Sequence, residues 1–129
     1  MNKRILVVDD TIFMRSLIKD TLTAAGYEVV GEAANGETAI DLAYSLKPDL
    51  ITLDNVLPDM MGIDILKTIS ESELDCNVLM VSAVGQEAMK DRAMQLGAMG
   101  YVVKPFKGEQ LLEEVNRVFN KAEFLSKIA

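Results

Sequence analysis

The fold is decided by residues 50–62, which read Leu-Ile-Thr-Leu-Asp-Asn-Val-Leu-Pro-Asp-Met-Met-Gly. An almost wholly apolar run, 50–53, ends in the acid Asp54, and Leu-Pro-Asp at 57–59 then marks a loop. Short apolar runs without alternation are typical of parallel strands that are covered on both faces. Similar runs occur at 5–8 and 78–81, so the chain is predicted to contain a parallel sheet.

Five strand-like runs alternate with five segments of helical periodicity. The predicted strands are 4–8, 28–33, 50–54, 78–82 and 101–103, and the predicted helices are 12–25, 36–46, 63–70, 86–96 and 108–128. Polar residues interrupt the second strand and the fifth is very short, which is typical of sheet edges. We therefore expect an α/β fold, a doubly wound five-stranded parallel sheet in the order 2-1-3-4-5 with five helices. No linker or repeat divides the chain, which indicates a single domain over residues 1–129.

The composition of the chain excludes several classes of function. Its 129 residues include no histidine and one cysteine, Cys76, and the net charge is −7. Without histidine there is no Ser-His-Asp triad, no Cys-His pair and no histidine-bound zinc. The excess of acids without a basic run argues against binding to nucleic acid or to a membrane. The single cysteine and the short, acidic N-terminal segment favour a cytoplasmic protein without a signal peptide.

Polar residues follow four of the five predicted strands, and none follows the second. Asp9 and Asp10 follow strand one, Asp54 ends strand three, Ser82 ends strand four before Ala83, and Lys104 follows strand five before Pro105. Ligands of open parallel sheets bind beyond these carboxyl ends, near the point where the strand order reverses. At about 4 Å and an effective dielectric constant of about 20, each pair of carboxylates repels by about 4 kcal/mol. Lys104 offsets one charge, and the remainder indicates bound Mg²⁺, with Mn²⁺ as an alternative.

These groups suit phosphoryl transfer, because a carboxylate can act as the nucleophile. The Ser82 hydroxyl, the backbone N–H after it and Lys104 would bind the phosphoryl oxygens. Each residue also has an ordinary structural interpretation. The pair Asp9-Asp10 could cap the following helix, Ser82 could be a strand-end hydroxyl, and Lys104-Pro105 could mark a turn. Their joint occurrence at neighbouring strand ends favours a site.

Four short motifs occur in order at these strand ends. They are Val-Asp-Asp with Phe-Met-Arg (8–15), Leu-Asp-x-x-Leu-Pro-Asp-Met-x-Gly (53–62), Val-Ser-Ala (81–83) and Val-Lys-Pro-Phe (103–106). In these motifs the chain resembles the response-regulator receiver domains over residues 2–120, and most of all the chemotaxis members of that family. The flavodoxin-like order 2-1-3-4-5 is also the order of the family, so the predicted order is not independent of the resemblance.

The resemblance implies a Mg²⁺-dependent signalling switch of a two-component system. Asp54 would accept a phosphoryl group from a histidine kinase, and the chain would catalyse both formation and hydrolysis of its own acyl phosphate. Asp9, Asp10, Asp54 and the backbone carbonyl of Val56 would hold Mg²⁺, while Ser82, the Ala83 backbone and Lys104 would bind phosphoryl oxygens. The resemblance further implies a cis Lys104–Pro105 bond, and a switch in which Ser82 moves toward the phosphoryl group and Tyr101 turns inward.

Some residues depart from the family or lie outside its motifs. Position 82 is serine where many relatives have threonine, and positions 56 and 84, which tune loss of the phosphoryl group in the family, are both valine. Met89 and Met94 are expected at the surface, and Met60 and Met61 beside the loop of Asp54. Residues 121–129 extend the last helix beyond the usual end, as a frayed tail or, through Phe124 and Ile128, as a surface for a partner or self-association.

The expected output is a protein–protein contact of a monomer, through the face formed by helix four, strand five and helix five. Residues 82–86 and the Phe-Met-Arg motif favour chemotaxis, with a flagellar or archaellar motor as target and a phosphatase as further partner. One alternative is a phosphorelay intermediate that passes the group to a phosphotransfer protein. Another is an aspartyl-phosphate hydrolase resembling the haloacid dehalogenases, although those begin with Asp-x-Asp and this chain has Asp9-Asp10-Thr11. An inactive scaffold is the third.

Overall fold

A computed structural model describes residues 2–83, 85 and 87–128. Strands and helices alternate along the whole chain. The strands are β1 (Arg4–Val8), β2 (Glu28–Ala33), β3 (Leu50–Leu53), β4 (Asn77–Ser82) and β5 (Gly100–Val103). The helices are α1 (Ile12–Ala24), α2 (Gly36–Leu46), α3 (Gly62–Ser70), α4 (Glu87–Gln95) and α5 (Gly108–Ile128). The predicted elements are confirmed to within two residues at each end, while the predicted start of the fourth helix at Gln86 lies outside the described residues.

The strands form one parallel sheet in the order β2-β1-β3-β4-β5. This confirms the predicted topology and places the two polar or short strands at the edges. All four residues of β3 are buried, as are the last five of β4, because helices cover both faces of the sheet.

Alternate strand residues point into two separate apolar layers. Leu6 and Val8 face the layer of α2, α3 and α4, whereas Ile5 and Val7 face the layer of α1 and α5. Two predicted surface assignments are wrong: Met89 and Met94 are half-buried and pack against the first layer. Leu17, predicted on the apolar face of α1, is exposed, because only Ile18 and Leu22 of that helix are fully covered.

The helix boundaries follow local chemistry. Thr11 and Asn35 are the N-caps of α1 and α2, and their side chains accept hydrogen bonds from Met14 N and Thr38 N. Gly26 and Gly97 have φ of 94° and 112° after α1 and α4, a region that favours glycine. In the part of the chain that the structure describes, every helix is too short or too polar to span a bilayer.

Candidate functional site

The candidate site lies at the edge of the sheet where the carboxyl ends of β1, β3, β4 and β5 meet. Asp9 and Asp10 follow β1, Asp54 follows β3, and Lys104 follows β5. Ser82 is the last residue of β4 and is paired in register with Val103. The parallel sheet therefore gathers residues that are far apart in the sequence, at the predicted position.

Three carboxylates form an acid cluster, which we define as Asp9, Asp10 and Asp54. One carboxylate oxygen from each lies within 4.8 Å of the other two. Asp9 and Asp54 are 1% and 6% exposed, whereas Asp10 is exposed to solvent. Since carboxylates at this separation repel each other, the cluster requires compensating positive charge.

Lys104 supplies part of that charge. Its Nζ lies 2.5 Å from Asp9 Oδ2 and 3.3 Å from Asp54 Oδ2, so one ammonium bridges the two buried acids. The peptide bond between Lys104 and Pro105 is cis, as the family resemblance implied. With all four groups charged, the acid cluster and Lys104 together carry −2.

Burial and charge act on the pKa values of the bridged groups in different directions. Burial raises the pKa of Asp54 most strongly, and the positive charge of Lys104 opposes that rise only in part. For Lys104 itself, burial lowers the pKa, but the hydrogen bond to Asp9 and the charges of Asp54 and Asp9 outweigh it and raise the pKa overall. Lys104 is therefore held in its charged form against the acids.

The alternative in which the acid pair caps α1 is wrong, because Thr11 occupies the N-cap. Asp9 instead accepts hydrogen bonds on Oδ1 from Thr11 N, at 3.0 Å, and from Thr11 Oγ1, at 3.2 Å. Its other oxygen contacts Lys104. The short turn after β1 thus holds the Asp9 carboxylate in one orientation.

The donor set of the acid cluster fits a hard divalent cation. It offers only carboxylate oxygens, which Mg²⁺ and Mn²⁺ prefer over the nitrogen and sulfur ligands typical of zinc. The exposed Asp10 opens the cluster toward solvent. Asp9 and Asp54 are buried, and Lys104 alone neutralises part of their negative charge. The residues present therefore fit Mg²⁺.

The loop after Asp54 is anchored to the fold by Gly62 and by Asn55, which the sequence motifs did not identify. Asn55 is fully buried; its backbone oxygen accepts from Gly62 N at 2.6 Å and its Oδ1 from Ile63 N at 3.0 Å. A Cβ at Gly62 would lie 2.2 Å from the backbone oxygen of Asp54, so only glycine fits here. The backbone of Asp54 is thus packed directly against the start of α3.

Asp59 fastens the same loop to α2. Its two carboxylate oxygens accept hydrogen bonds from Gly36 N, at 2.7 Å, and Glu37 N, at 2.9 Å. These backbone donors lower the pKa of Asp59. The side chain of Met60 packs over Gly36, whereas Met61 is exposed.

The remaining predicted site residues lie on β4, on β5 and in the loops that follow β3, β4 and β5. Val56 is exposed in the loop, and its N–H donates to Asp54 Oδ1 at 3.4 Å. The Ser82 side chain is buried, and its backbone oxygen accepts from Lys104 N at 2.9 Å. Ala83 and Pro105 are exposed, and Tyr101 is buried on β5. Val84, predicted to tune loss of the phosphoryl group, lies outside the described residues.

Comparison with known proteins gives one consistent result. The response regulator receiver domain family matches residues 5–116. The chain is 45% identical over 118 residues to the chemotaxis protein CheY of Thermotoga maritima, covering 92% of this chain and 98% of the relative. It is 44% identical over 120 residues to the chemotaxis protein CheY of Bacillus subtilis, covering 93% of this chain and 100% of the relative.

A solved structure agrees in fold as well as in sequence. The CheX-CheY-BeF3-Mg²⁺ complex from Borrelia burgdorferi contains a chain that superimposes with a TM-score of 0.88 at 32% identity. The match covers 91% of this chain and 89% of that one.

Proposed function

Because this chain belongs to the response regulator receiver family, we propose that Asp54 accepts a phosphoryl group from a histidine kinase in a Mg²⁺-dependent reaction. The receiver function itself follows from family membership: the chain is a phosphoacceptor of two-component signalling, similar to the CheY chemotaxis regulators. The single observation that carries the proposal is the acid cluster bridged by Lys104 at the carboxyl ends of the strands.

In the proposed reaction, a carboxylate oxygen of Asp54 attacks the phosphorus of a phosphohistidine. The new O–P bond forms as the P–N bond breaks, and the imidazole nitrogen leaves with the electron pair. Lys104, already 3.3 Å from Asp54 Oδ2, would pair with the phosphoryl oxygens, and the Ser82 hydroxyl and the Ala83 N–H would bind the others. Hydrolysis by water would return the Asp54 carboxylate and release inorganic phosphate.

Asp9, Asp10, Asp54 and the Val56 carbonyl would hold Mg²⁺, or Mn²⁺ in its place. When bound, the ion supplies positive charge that offsets the carboxylates and the phosphoryl oxygens. The Borrelia relative, solved together with Mg²⁺, supports this choice of ion. Lys104 offsets part of the charge of Asp9 and Asp54, and the exposed Asp10 opens the acid cluster to an ion from solvent.

Phosphorylation is proposed to switch a protein-binding face formed by α4, β5 and α5. Ser82, at the end of β4, and Tyr101, on β5, are both buried and would form the switch. A depression of about 750 Å³ lies between β5 and α5 and is lined by Val103, Phe106, Gln110, Glu113 and Arg117 among others. We propose a flagellar or archaellar motor protein as the target, since the relatives are chemotaxis proteins.

The other proposed partners are the histidine kinase and a protein that removes the phosphoryl group; the Borrelia relative was solved in complex with CheX. A cytoplasmic location is proposed because the single cysteine, Cys76, leaves no internal disulfide. Burial raises the pKa of the Cys76 thiol to about 12, so the thiol is protonated at neutral pH.

We propose that residues 1–129 form one monomeric receiver domain, with 121–129 as a helical extension beyond the family match. Support comes from α5, which continues without a break to Ile128. Phe124, Leu125 and Ile128 are exposed on this extension and would be the surface for the alternative of self-association. Sedimentation equilibrium of the natural chain and of Phe124→Lys separates the two: a monomer requires equal masses, and a heavier natural chain would contradict it.

The proposed function is tested by incubating the chain with Mg²⁺ and radiolabelled acetyl phosphate. One label per chain is expected at Asp54, none after addition of a chelator, and none in Asp54→Asn. Asp64→Asn, a change of an exposed aspartate on α3, is the matched control and should be labelled normally. Label retained by Asp54→Asn would refute the assignment of the phosphoacceptor.

A further inference from the structure

Arg15 lies behind the acid cluster and contacts its backbone. Its Nη1 donates to the backbone oxygen of Asp9 at 2.8 Å, and its Nε donates to Glu32 Oε1 at 2.9 Å. The side chain is only 14% exposed. Arg15 therefore joins the turn after β1 to the edge strand β2 through two directed hydrogen bonds.

The bond to Asp9 acts on the peptide that leads into Asp10. The N–H of Asp9 donates to the backbone oxygen of Ala33 at 3.1 Å, at the last pairing of β1 with β2. Beyond that point the sheet offers no donor to the Asp9 carbonyl, and Arg15 provides one. Because this carbonyl belongs to the Asp9–Asp10 peptide plane, its orientation decides where the Cα of Asp10 lies.

The Asp10 side chain itself has no such restraint, although the next peptide is held by the bond from Thr11 N to Asp9 Oδ1. The Asp10 side chain is exposed, and no hydrogen bond to its carboxylate occurs within residues 2–83, 85 and 87–128. By contrast, both oxygens of Asp9 are engaged, by Thr11 and by Lys104. The position of the Asp10 carboxylate therefore depends on its backbone, which Arg15 holds through the preceding peptide and Thr11 N through the following one.

We infer that Arg15 is a positioning residue for the proposed Mg²⁺ site, acting through the Asp9 carbonyl to hold the Asp10 carboxylate in place. The inference rests on the proposed function, in which Asp10 is a metal ligand. It opposes the expectation from charge alone: removing a nearby positive charge should strengthen the binding of a cation. If Arg15 positions Asp10, its removal should weaken binding, since groups that orient metal ligands typically contribute about 10–100-fold in affinity.

The chain provides a matched control in Lys19. Its Nζ lies 2.6 Å from Glu32 Oε2, so it shares the same carboxylate partner as Arg15 and carries the same charge, but it has no hydrogen bond to Asp9. The variants Arg15→Gln and Lys19→Gln both remove one positive charge next to Glu32. Only the first removes the bond to the Asp9 carbonyl.

The test is a titration with Mn²⁺, in which the electron paramagnetic resonance signal of the free ion reports the dissociation constant without any phosphoryl transfer. Arg15→Gln should bind at least about tenfold more weakly than the natural chain, and Lys19→Gln should bind equally or more tightly. Arg15→Lys keeps the charge without the two-donor geometry and should also bind more weakly. Urea unfolding without metal confirms that each variant is folded, and a purely structural role would lower stability without changing the affinity of the folded protein.

Tighter or unchanged binding by folded Arg15→Gln would overturn the inference while leaving the proposed function intact. An equal loss in Lys19→Gln would overturn it too, because the effect would then come through Glu32. Failure of the natural chain to bind Mn²⁺ would overturn both this inference and the proposed metal site.

Discussion

Replacement of Asp10 by asparagine should stabilise the metal-free protein, although it removes a proposed metal ligand. A carboxylate oxygen of Asp10 lies within 4.8 Å of oxygens from both Asp9 and Asp54. At this distance two like charges repel by about 0.9 kcal/mol in bulk water and by about 3.5 kcal/mol at an effective dielectric constant of about 20. Because Asp10 is exposed, the lower value applies, and the two neighbours together cost about 2 kcal/mol.

Two effects oppose this gain. Lys104 pairs with Asp9 and Asp54 but lies more than 4.0 Å from the Asp10 carboxylate, so in water its attraction for Asp10 offsets at most about 1 kcal/mol. Asp10 also precedes Thr11, the N-cap of α1, where the helix dipole stabilises a negative charge by about 0.3 kcal/mol outside the first turn. The repulsion still exceeds their sum, so Asp10→Asn should raise the free energy of unfolding by about 0.5–1 kcal/mol.

The measurement is urea unfolding at low ionic strength with a chelator, followed by far-UV circular dichroism because the chain has no tryptophan. Asp41→Asn, at an exposed position of α2, is the control and should change stability little. In Mg²⁺ at 100 times its dissociation constant, the natural chain should gain about 2.7 kcal/mol and become the more stable protein. An Asp10→Asn variant that is less stable without metal, or that remains the more stable one in Mg²⁺, would refute the reasoning.

Three further predictions concern the framework around the site. Hydrogen bonds from Lys19 and then Arg15 lower the pKa of Glu32, so its stabilisation is present above the ordinary carboxyl pKa and disappears as the pH falls through the folded value. Glu32→Gln should therefore lose about 0.5 kcal/mol at pH 7 and nothing in acid; an equal loss at both pH values in urea titrations would contradict this. Gly62→Ala should lose about 3 kcal/mol, because its Cβ would meet the backbone of Asp54, whereas Gly108→Ala, with 3.4 Å of room, should melt within a few degrees of the natural chain. The hydroxyl of Thr52 is buried without a partner among the described residues, so Thr52→Val should raise the free energy of unfolding by about 1 kcal/mol, and a loss would show that the hydroxyl is satisfied.

The fold and the position of the acids could be predicted because both depend on the local pattern of apolar and acidic residues along the sequence. Apolar strands that end in Asp54 or in Asp9-Asp10 place those acids at one edge of any parallel sheet. The contact between Lys104 and Asp9, 95 residues apart, then follows from the strand order. No finer knowledge of packing is needed for that step.

The fastening of the Asp54 loop could not be predicted, because it depends on close contacts between distant segments. Asp59 beside a proline has the sequence pattern of a turn, yet its partners are the N–H groups of Gly36 and Glu37. Gly62 has a negative φ, so nothing in its local conformation signals the proximity of the Asp54 carbonyl. The half-buried position of Met89 has the same cause, since helical periodicity does not show how deeply a helix packs into the sheet.

Residues 54–62 are anchored to the fold at two places, and this has a consequence for ligand affinity. A loop held at its base by Asn55 and Gly62, and at its tip by Asp59, has little backbone freedom left to lose. Ordering the backbone of one residue costs about 1–2 kcal/mol of conformational entropy. In this loop the backbone is already ordered when the protein folds, so ligand binding does not have to order it. The loop is therefore preorganised, which favours tight binding at Asp54. Amide hydrogen exchange of the loop should slow little when a ligand binds.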